Sequence, residues 1–254
     1  VSRGTVALVV EREVPLPRDV AWVRVRDSRR ALSHLAAAFY GYPARRLKLV
    51  GVTGTNGKTT TTYLLAALYR AAGERVGLIG TVENRIGERV LPVTHTTPES
   101  LDLQQLLAAM LEAGVTTVVM EVSSHALQLH RVADCEFERA VFTNLTQDHL
   151  DFHGTLEDYL AAKQRLFREL APGVKGGPKY AIINGDDDYA NRIMAVSTGN
   201  NVTYGLRGPV DVRAEDIALG ARGTSFCVAG RGVRFPLHVS LPGLFNVSNA
   251  LAAC

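Results

Sequence analysis

The clearest chemistry in this sequence lies in one short run, Gly51-Val-Thr-Gly54-Thr-Asn56-Gly57-Lys58-Thr59-Thr60. In such a run glycines let backbone N–H groups approach phosphate oxygens, the lysine reaches the terminal phosphates, and the next hydroxyl can hold Mg²⁺. A helix that begins at the lysine adds a favourable partial positive charge. The strict pattern has glycine at position 52, where this chain has Val52, so we interpret the run as a variant phosphate-binding loop. The alternative is an ordinary glycine-rich turn between a strand and a helix.

The elements around this run are those that a phosphate-binding loop requires. Apolar and helical periodicities alternate from residue 47 onward. They predict strands at 47–53, 75–80, 115–122, 138–143, 179–184 and 201–205, a hairpin at 82–93, and helices at 58–72, 98–113, 124–132, 155–170 and 187–196. This alternation predicts an α/β fold with a doubly wound, mostly parallel sheet. Residues 210–240 change to short alternating strands with glycine turns, which predicts a small β appendage at the sheet edge.

The two ends of the chain differ from this pattern. Residues 5–10 and 20–26 predict strands, joined by a loop with Pro15, Pro17 and Asp19, and residues 28–40 predict a helix. This is too little chain for a whole domain, so we expect residues 1–46 to be the tail of one. The last residues, Asn249–Ala253, have the pattern of a helix's first turns, and a helix that stops there is expected to bury its apolar face poorly. We therefore expect a piece of a longer protein.

Two further runs follow predicted strands, and ligands of open α/β sheets bind at the carboxyl ends of strands. They are Glu121-Val-Ser123-Ser124-His125 and Thr143-Asn144-Leu145-Thr146-Gln147-Asp148-His149-Leu150-Asp151. A carboxylate beside a phosphate loop suits Mg²⁺, which prefers oxygen ligands. Taken singly, Glu121 could be a helix-capping acid and His149 a surface histidine, but their common position favours a site. Lys163, on a helix rich in charged residues, is expected from the residues alone to be solvated.

Bulk composition excludes several classes of protein. The 254 residues are 46% hydrophobic and 21% charged, as in an ordinary globular protein, and the net charge of +3 without a long Lys/Arg run argues against a nucleic-acid partner. Cys135, Cys227 and Cys254 show no C-x-x-C spacing, which argues for a reducing compartment and against a thiolate metal site. We see no run of transmembrane length and no signal peptide, so we expect a cytoplasmic protein without membrane insertion.

Five runs together resemble the Mur ligase family over about residues 47–254. They are GVTGTNGKTTT, HTTPES, MEVSSHALQLHRV, FTNLTQDHLDFHGTLEDYLAAKQRLF and LPGLFNVSNALAA. The resemblance implies that residues 1–46 are the tail of an N-terminal domain that binds the UDP-linked substrate. It implies that residues 47–254 are the central ATP-binding domain. The C-terminal domain, which selects the incoming amino acid, is then absent from this sequence.

The resemblance also implies roles for individual residues. The implied ATP-binding residues are Gly54, Thr55, Asn56, Gly57, Lys58, Thr59 and Thr60, with Asn246 and Asn249 near the base. The implied metal ligands are Thr59, Glu121, His149 and Lys163, the last as a carbamate, and the implied catalytic set is Lys58, Glu121, His149 and Lys163. A bare ammonium would be repelled by Mg²⁺, whereas the carbamate is an anion. Thr96, Thr97, Ser123 and Arg131 match positions that hold the UDP-linked peptide substrate.

The implied activity is that of the family member that adds the third amino acid to UDP-N-acetylmuramoyl-L-Ala-D-Glu during peptidoglycan synthesis. ATP and Mg²⁺ are then required, and the reaction passes through an acyl phosphate. The substrates are the UDP-linked dipeptide and an amino acid, and we expect a monomer. Two alternatives remain. One is another amide ligase of the same superfamily, similar to folylpolyglutamate synthetase, and the other is a non-catalytic nucleotide-binding module.

Overall fold

The computed structural model describes residues 4–15, 20–170 and 173–254. In these ranges the chain forms thirteen strands and eight α-helices. The strands are β1 (Ala7–Val10), β2 (Ala21–Arg24), β3 (Lys48–Thr53), β4 (Val76–Ile79), β5 (Asn84–Ile86), β6 (Arg89–Leu91), β7 (Thr117–Glu121), β8 (Arg139–Phe142), β9 (Tyr180–Asn184), β10 (Asn200–Gly205), β11 (Val212–Gly220), β12 (Gly223–Gly230) and β13 (Val233–Val239). The helices are α1 (Ser28–Phe39), α2 (Lys58–Ala71), α3 (Ser100–Glu112), α4 (Ser124–Gln128), α5 (Leu150–His153), α6 (Leu156–Arg168), α7 (Ala190–Met194) and α8 (Leu244–Ala253), with a 3₁₀ turn at Pro43–Arg45.

One large sheet carries the candidate site. Its strand order is β13-β12-β11-β10-β9-β8-β3-β7-β4-β5-β6. Neighbouring strands from β11 to β4 in this order pair in parallel, whereas both ends of the sheet are antiparallel. The predicted doubly wound, mostly parallel sheet and its β appendage are confirmed. Because β3 lies between β8 and β7, the three runs that follow these strands meet at one edge.

Helices cover both faces of this sheet, as buried parallel strands require. On one face Leu107 of α3 and Phe167 of α6 pack against Met120 and Phe142. On the other face Leu65 of α2 packs against Val52 and Val119, and α8 joins the same cluster. Val247 and Leu251 of α8 are almost fully buried. The expectation that this last helix buries its apolar face poorly is therefore wrong, because α2 and the sheet cover it.

The described residues before β3 carry a small sheet of their own and helix α1. β1 and β2 pair in parallel with each other and not with the large sheet, and α1 packs against α3. Of the predicted loop, Pro15 is described, whereas Pro17 and Asp19 lie outside the described residues. The prediction that this segment is the tail of a domain stays a prediction.

Several short elements differ from the sequence prediction. The helix predicted at 124–132 ends at Gln128, and that predicted at 187–196 covers Ala190–Met194. Helix α5 was not predicted, since a single turn of four residues carries too little periodicity to be recognised. Among the described residues no helix is both long enough and apolar enough to cross a bilayer.

Candidate active site

The loop between β3 and α2 needs glycine at two positions. Gly54 has φ +151° and Gly57 has φ +84°, which side chains rarely adopt. A Cβ on Gly54 would lie 1.9 Å from Thr143 Oγ1, and one on Gly57 would lie 2.3 Å from Asn249 Oδ1. The side chain of Thr143, just after β8, and that of Asn249 in α8 therefore occupy the space that a Cβ would need at these two positions.

The loop is held to the run that follows β8 by hydrogen bonds. The Asn56 amide donates to Asn144 Oδ1 at 2.9 Å, and the Thr143 hydroxyl donates to the Asn56 carbonyl oxygen at 2.6 Å. The Thr55 amide donates to the Asn144 carbonyl oxygen at 2.9 Å, and the Thr146 amide donates to Thr55 Oγ1 at 3.0 Å. These bonds fix the backbone that would surround a phosphate.

Lys58 opens α2 and folds back over its own loop. Its ammonium donates to the carbonyl oxygens of Gly54 at 2.9 Å and Thr55 at 2.8 Å. Burial lowers the pKa of Lys58, and the nearby carboxylates of Glu121 and Asp148 oppose that shift. The cation thus lies beside the glycines and the helix N-terminus, where a phosphate group would be bound.

Glu121 ends β7 and its side chain is buried at the mouth of the loop. Its Oε1 accepts from the Thr59 hydroxyl at 3.0 Å and from the Thr81 amide at 2.9 Å, and its Oε2 accepts from the Thr81 hydroxyl at 3.1 Å. A cavity of about 320 Å³ is lined by residues 55–60 together with Thr81 and Glu121. Carboxylate and hydroxyl oxygens on one wall and a phosphate loop on the other suit Mg²⁺.

Within the described ranges no group of three or more His, Cys, Asp or Glu side chains forms a metal cage. Mg²⁺ retains several waters and is usually bound by one or two carboxylates together with substrate phosphates. Thr59 and Glu121 would hold such an ion.

Lys163 is buried rather than solvated, so the expectation from its charged neighbours is wrong. It is 1% exposed, its ammonium donates to the Gly54 carbonyl oxygen at 3.0 Å, and it lies 4.2 Å from the centre of the Tyr159 ring. Burial and the charge of Lys58 hold the pKa of Lys163 well below its usual range. The spacing could have shown this, because Tyr159 and Phe167 lie four residues away on either side and all three share the inner face of α6.

His149 lies in the turn before α5, in a left-handed conformation with φ 52°. Its ring packs edge-on against His125 with 4.9 Å between centroids, and it lies 6.0 Å from Tyr159. His149 Nε2 is also 3.5 Å from Asp148 Oδ2. Since Tyr159 also contacts Lys163, the structure brings His149 to the same wall of the site.

The four candidate substrate residues lie together beside Glu121. The Thr97 hydroxyl donates to the Glu121 carbonyl oxygen at 2.9 Å and accepts from the Ser123 amide at 3.1 Å. The hydroxyl oxygens of Thr96 and Thr81 lie 3.0 Å apart, within hydrogen-bond distance. Arg131 donates to the Thr97 carbonyl oxygen at 3.0 Å. These contacts place a hydroxyl-rich surface and a guanidinium next to the candidate metal position.

Arg131 is already paired in this structure. Its second guanidinium nitrogen lies 2.6 Å from Glu99, and Glu99 also lies 3.7 Å from Arg29 of α1. An anionic ligand at Arg131 would therefore share the guanidinium with Glu99.

Asn246 and Asn249 lie on the other side of the loop, in the first turns of α8. Asn249 donates to Asn246 Oδ1 at 3.3 Å, and Asn246 donates to the Pro242 carbonyl oxygen at 2.8 Å. A cavity of about 250 Å³ adjoins the loop here. It is lined by Asn56, Gly57, Thr143, Asn144, Asn184, Tyr204, Phe245, Ser248 and Asn249. Its position beside Gly57 suits the base and sugar of a nucleotide.

Thr81 and Tyr159 were not predicted, although both contact candidate site residues. Thr81 makes two hydrogen bonds to Glu121, and the Tyr159 hydroxyl lies 3.2 Å from Thr55 Oγ1. The signal for Thr81 was its place just after a predicted strand, at the carboxyl edge where such sheets bind ligands. Nothing in the sequence distinguishes Tyr159 from a core aromatic residue.

The chain is similar in sequence and in structure to known proteins. Residues 52–254 match the family model of the Mur ligase middle domain. A UDP-N-acetylmuramoyl-L-alanyl-D-glutamate–2,6-diaminopimelate ligase from Geobacillus thermodenitrificans (strain NG80-2) is 49% identical over 254 residues, covering 100% of this chain and 52% of that protein. A solved structure of a ligase with the same name has a TM-score of 0.84 at 32% identity and covers 97% of this chain and 50% of the other.

A more distant solved structure shares the fold alone. The folylpolyglutamate synthase of Mycobacterium tuberculosis, solved with ADP and AMPPCP, has a TM-score of 0.68 at 16% identity, over 88% of this chain and 57% of the other. The chain spans about half the length of the curated relatives it matches. The match over residues 52–254 covers most of the chain, so the chain belongs to the Mur ligase family, whose middle domain it contains.

Proposed function

We propose that the protein is an ATP-dependent ligase that adds 2,6-diaminopimelate to UDP-N-acetylmuramoyl-L-alanyl-D-glutamate in peptidoglycan synthesis. The main support for this proposal is that hydrogen bonds connect the phosphate loop and the candidate substrate residues through Glu121, along one edge of the sheet. Thr59 of the phosphate loop contacts the Glu121 carboxylate, and Thr97 contacts the Glu121 backbone. A nucleotide and a second substrate would meet at this residue. The names of the similar ligases support the choice of amino acid.

In this reaction the protein positions two substrates and neutralises charge. The carboxylate of the UDP-linked dipeptide attacks the γ-phosphorus of ATP, which releases ADP and forms an acyl phosphate. The amine of the amino acid then attacks the acyl carbon, phosphate leaves, and the amine proton is lost. The loop amides and Lys58 bind the phosphates, as in phosphoryl transfer generally. Thr59 and Glu121 would hold Mg²⁺, which supplies charge neutralisation when bound.

We further propose that Lys163 carries a carbamate and that His149 contributes to a second metal position. Burial and Lys58 lower the pKa of Lys163, which raises the fraction of neutral amine. A neutral amine can add to CO₂ and lose a proton, and the product is an anion beside the loop. The protein labelled with ¹³C-bicarbonate is expected to show a carbamate signal in its NMR spectrum that Lys163→Met abolishes. A signal that survives the substitution would place the modification elsewhere.

For the second substrate, we propose that Thr96, Thr97, Ser123 and Arg131 bind the UDP-linked dipeptide and that Asn246 and Asn249 contact the nucleotide base. Arg131 is the cation suited to anionic groups because its planar fork binds carboxylate or phosphate through two bonds. We place residues 1–46 in a UDP-binding unit and residues 47–254 in the ATP-binding unit of a cytoplasmic monomer.

The decisive experiment measures phosphate release by the natural full-length protein with ATP and Mg²⁺. We expect release only when UDP-N-acetylmuramoyl-L-alanyl-D-glutamate and diaminopimelate are both present, with a product of the matching mass. Lysine in place of diaminopimelate tests the choice of amino acid. Release with a folate and glutamate instead would favour the folylpolyglutamate-type alternative. ADP binding without any turnover would favour a non-catalytic module.

A further inference from the structure

The turn that carries His149 also contains a second histidine, His153, which the proposed reaction does not use. His153 is 8% exposed and closes the single turn of α5. Its Nε2 lies 2.9 Å from Ser124 Oγ in a buried hydrogen bond. Ser124 belongs to the run after β7, three residues beyond Glu121. This bond therefore joins the turn that contains His149 to the segment that follows Glu121, and both residues are candidate metal ligands.

His153 also supports both aromatic rings that flank His149. His125 lies 4.9 Å and Tyr159 lies 6.0 Å from the His149 ring, measured between centroids. The ring of His153 lies 5.5 Å from that of His125 and 5.1 Å from that of Tyr159. A change at residue 153 would thus act on both neighbours of His149 at once.

The backbone of the same turn is closed by amides at positions 152 and 153. His149 has φ 52°, in the left-handed region that residues other than glycine rarely adopt. The His149 carbonyl oxygen accepts from the His153 amide at 3.0 Å and from the Phe152 amide at 3.2 Å. A strained conformation of this kind persists only where surrounding contacts impose it.

We propose that His153 is a positioning residue, which fixes the imidazole of His149 for metal binding through its hydrogen bond to Ser124 and its ring contacts. This inference rests on the proposed role of His149 as a metal ligand. His153 itself contacts neither metal nor substrate in this scheme. It ties the turn that contains His149 to the segment that follows β7. The His149 imidazole and the Glu121 carboxylate are then held at a fixed distance from each other.

The experiment compares His153→Phe, which keeps an aromatic ring without nitrogens, with Ser124→Ala, the smaller change that removes the other partner. A control exists in the β appendage, where His238 Nδ1 lies 2.9 Å from Ser225 Oγ. His238→Phe removes a histidine–serine bond of the same length, but an exposed one outside the candidate site. All variants are made in the natural full-length protein.

The first measurement needs neither metal nor activity. The imidazole Cε1–H signal of His149, assigned by its loss in His149→Ala, is recorded by NMR in metal-free protein. We expect it to shift or broaden in His153→Phe and in Ser124→Ala and to stay unchanged in His238→Phe. An unchanged His149 signal in both site variants would overturn the inference.

The second measurement is the Mg²⁺ concentration that gives half-maximal ligation. Loss of a supporting contact behind a metal ligand typically weakens metal binding about tenfold or more, so we expect a rise of about tenfold in each single variant. The double variant should show about the same rise, not the product of the two, because both changes remove one bond. A lower melting temperature with unchanged Mg²⁺ dependence would make His153 merely structural and refute the proposal.

If the wild-type protein does not ligate, the proposed function fails. The His149 signal in metal-free protein still decides whether His153 positions His149.

Discussion

Lys58 and Lys163 direct their ammonium groups to the same atom, the carbonyl oxygen of Gly54, at 2.9 and 3.0 Å. Two positive charges around one oxygen repel each other, and Lys163 is almost fully buried, so its charged form is disfavoured. Its pKa is lowered by burial first and by Lys58 second. Both effects favour the neutral amine, the form from which the proposed carbamate would arise.

The first prediction concerns the cost of burying Lys163. The folded-state pKa lies below the unfolded value of about 10.4, so the unfolded state binds more protons between these two values. Stability of the natural protein should therefore rise with pH through that window. Lys163→Met removes the buried amine at similar length. In bicarbonate-free, metal-free buffer we expect it to raise the melting temperature at neutral pH, to flatten the pH dependence and to abolish ligation.

Differential scanning calorimetry across pH checks this prediction. Lys48→Met is the control, because Lys48 is half exposed and pairs with Glu74 at 2.6 Å on the surface. A lower melting temperature for Lys163→Met, or an unchanged pH slope, would show that the amine is accommodated without cost.

A second prediction concerns the phosphate loop itself. Lys58→Ala removes the cation that lies against the Gly54 and Thr55 carbonyl oxygens. Loss of one preorganised charge-stabilising donor typically lowers turnover by about 10²–10³-fold. We expect a loss of that size in phosphate release by the full-length protein, whereas Lys48→Ala should remain near wild type. Retained turnover in Lys58→Ala would remove Lys58 from the catalytic set.

The third prediction separates charge from hydrogen bonding at Glu121. Glu121→Gln keeps an oxygen that can accept from Thr59 and Thr81 but removes the negative charge. If Glu121 holds Mg²⁺, the concentration of Mg²⁺ for half-maximal activity should rise by about tenfold or more, with little change in melting temperature. The exposed Glu112, substituted by Gln, serves as the control. Equal Mg²⁺ dependence in both variants would mean that Glu121 only organises its neighbours.

The fourth prediction uses two glycines with nearly the same positive φ. Gly57 has φ +84° and Gly73 has φ +83°, but a Cβ on Gly57 would lie 2.3 Å from Asn249 Oδ1, whereas a Cβ on Gly73 meets nothing within 4 Å. Substitution by Ala costs about 1–2 kcal/mol of conformational strain at either position. Only Gly57→Ala should also displace Asn249 and weaken ADP binding, measured by isothermal titration calorimetry. Equal ADP affinity in the two variants would exclude Asn249 from the nucleotide site.

Apart from the short helix α5, the order of strands and helices along the chain was predictable from the sequence, because buried parallel strands and amphipathic helices leave strong, local periodicities. The glycines and Lys58 of the loop were equally visible, since a strand, a glycine turn and a lysine at a helix start form one contiguous segment. Glu121 and His149 could be placed at the same sheet edge by the rule for strand ends. For Lys163, local charge gave the wrong environment, and the resemblance alone suggested a site.

Tertiary structure decided the contacts between distant segments. The strand order that puts β3 between β7 and β8 is set by long-range pairing, which leaves no local signal. Burial of Lys163 follows from the packing of α6 behind Gly54, and the bond from His153 to Ser124 joins residues 29 positions apart. The burial of α8 depends on α2 and the sheet. In each case the free energy comes from groups that meet only in the folded chain. Spacing along α6 could place Lys163 on the buried face of its helix, but it could not show that the ammonium meets Gly54.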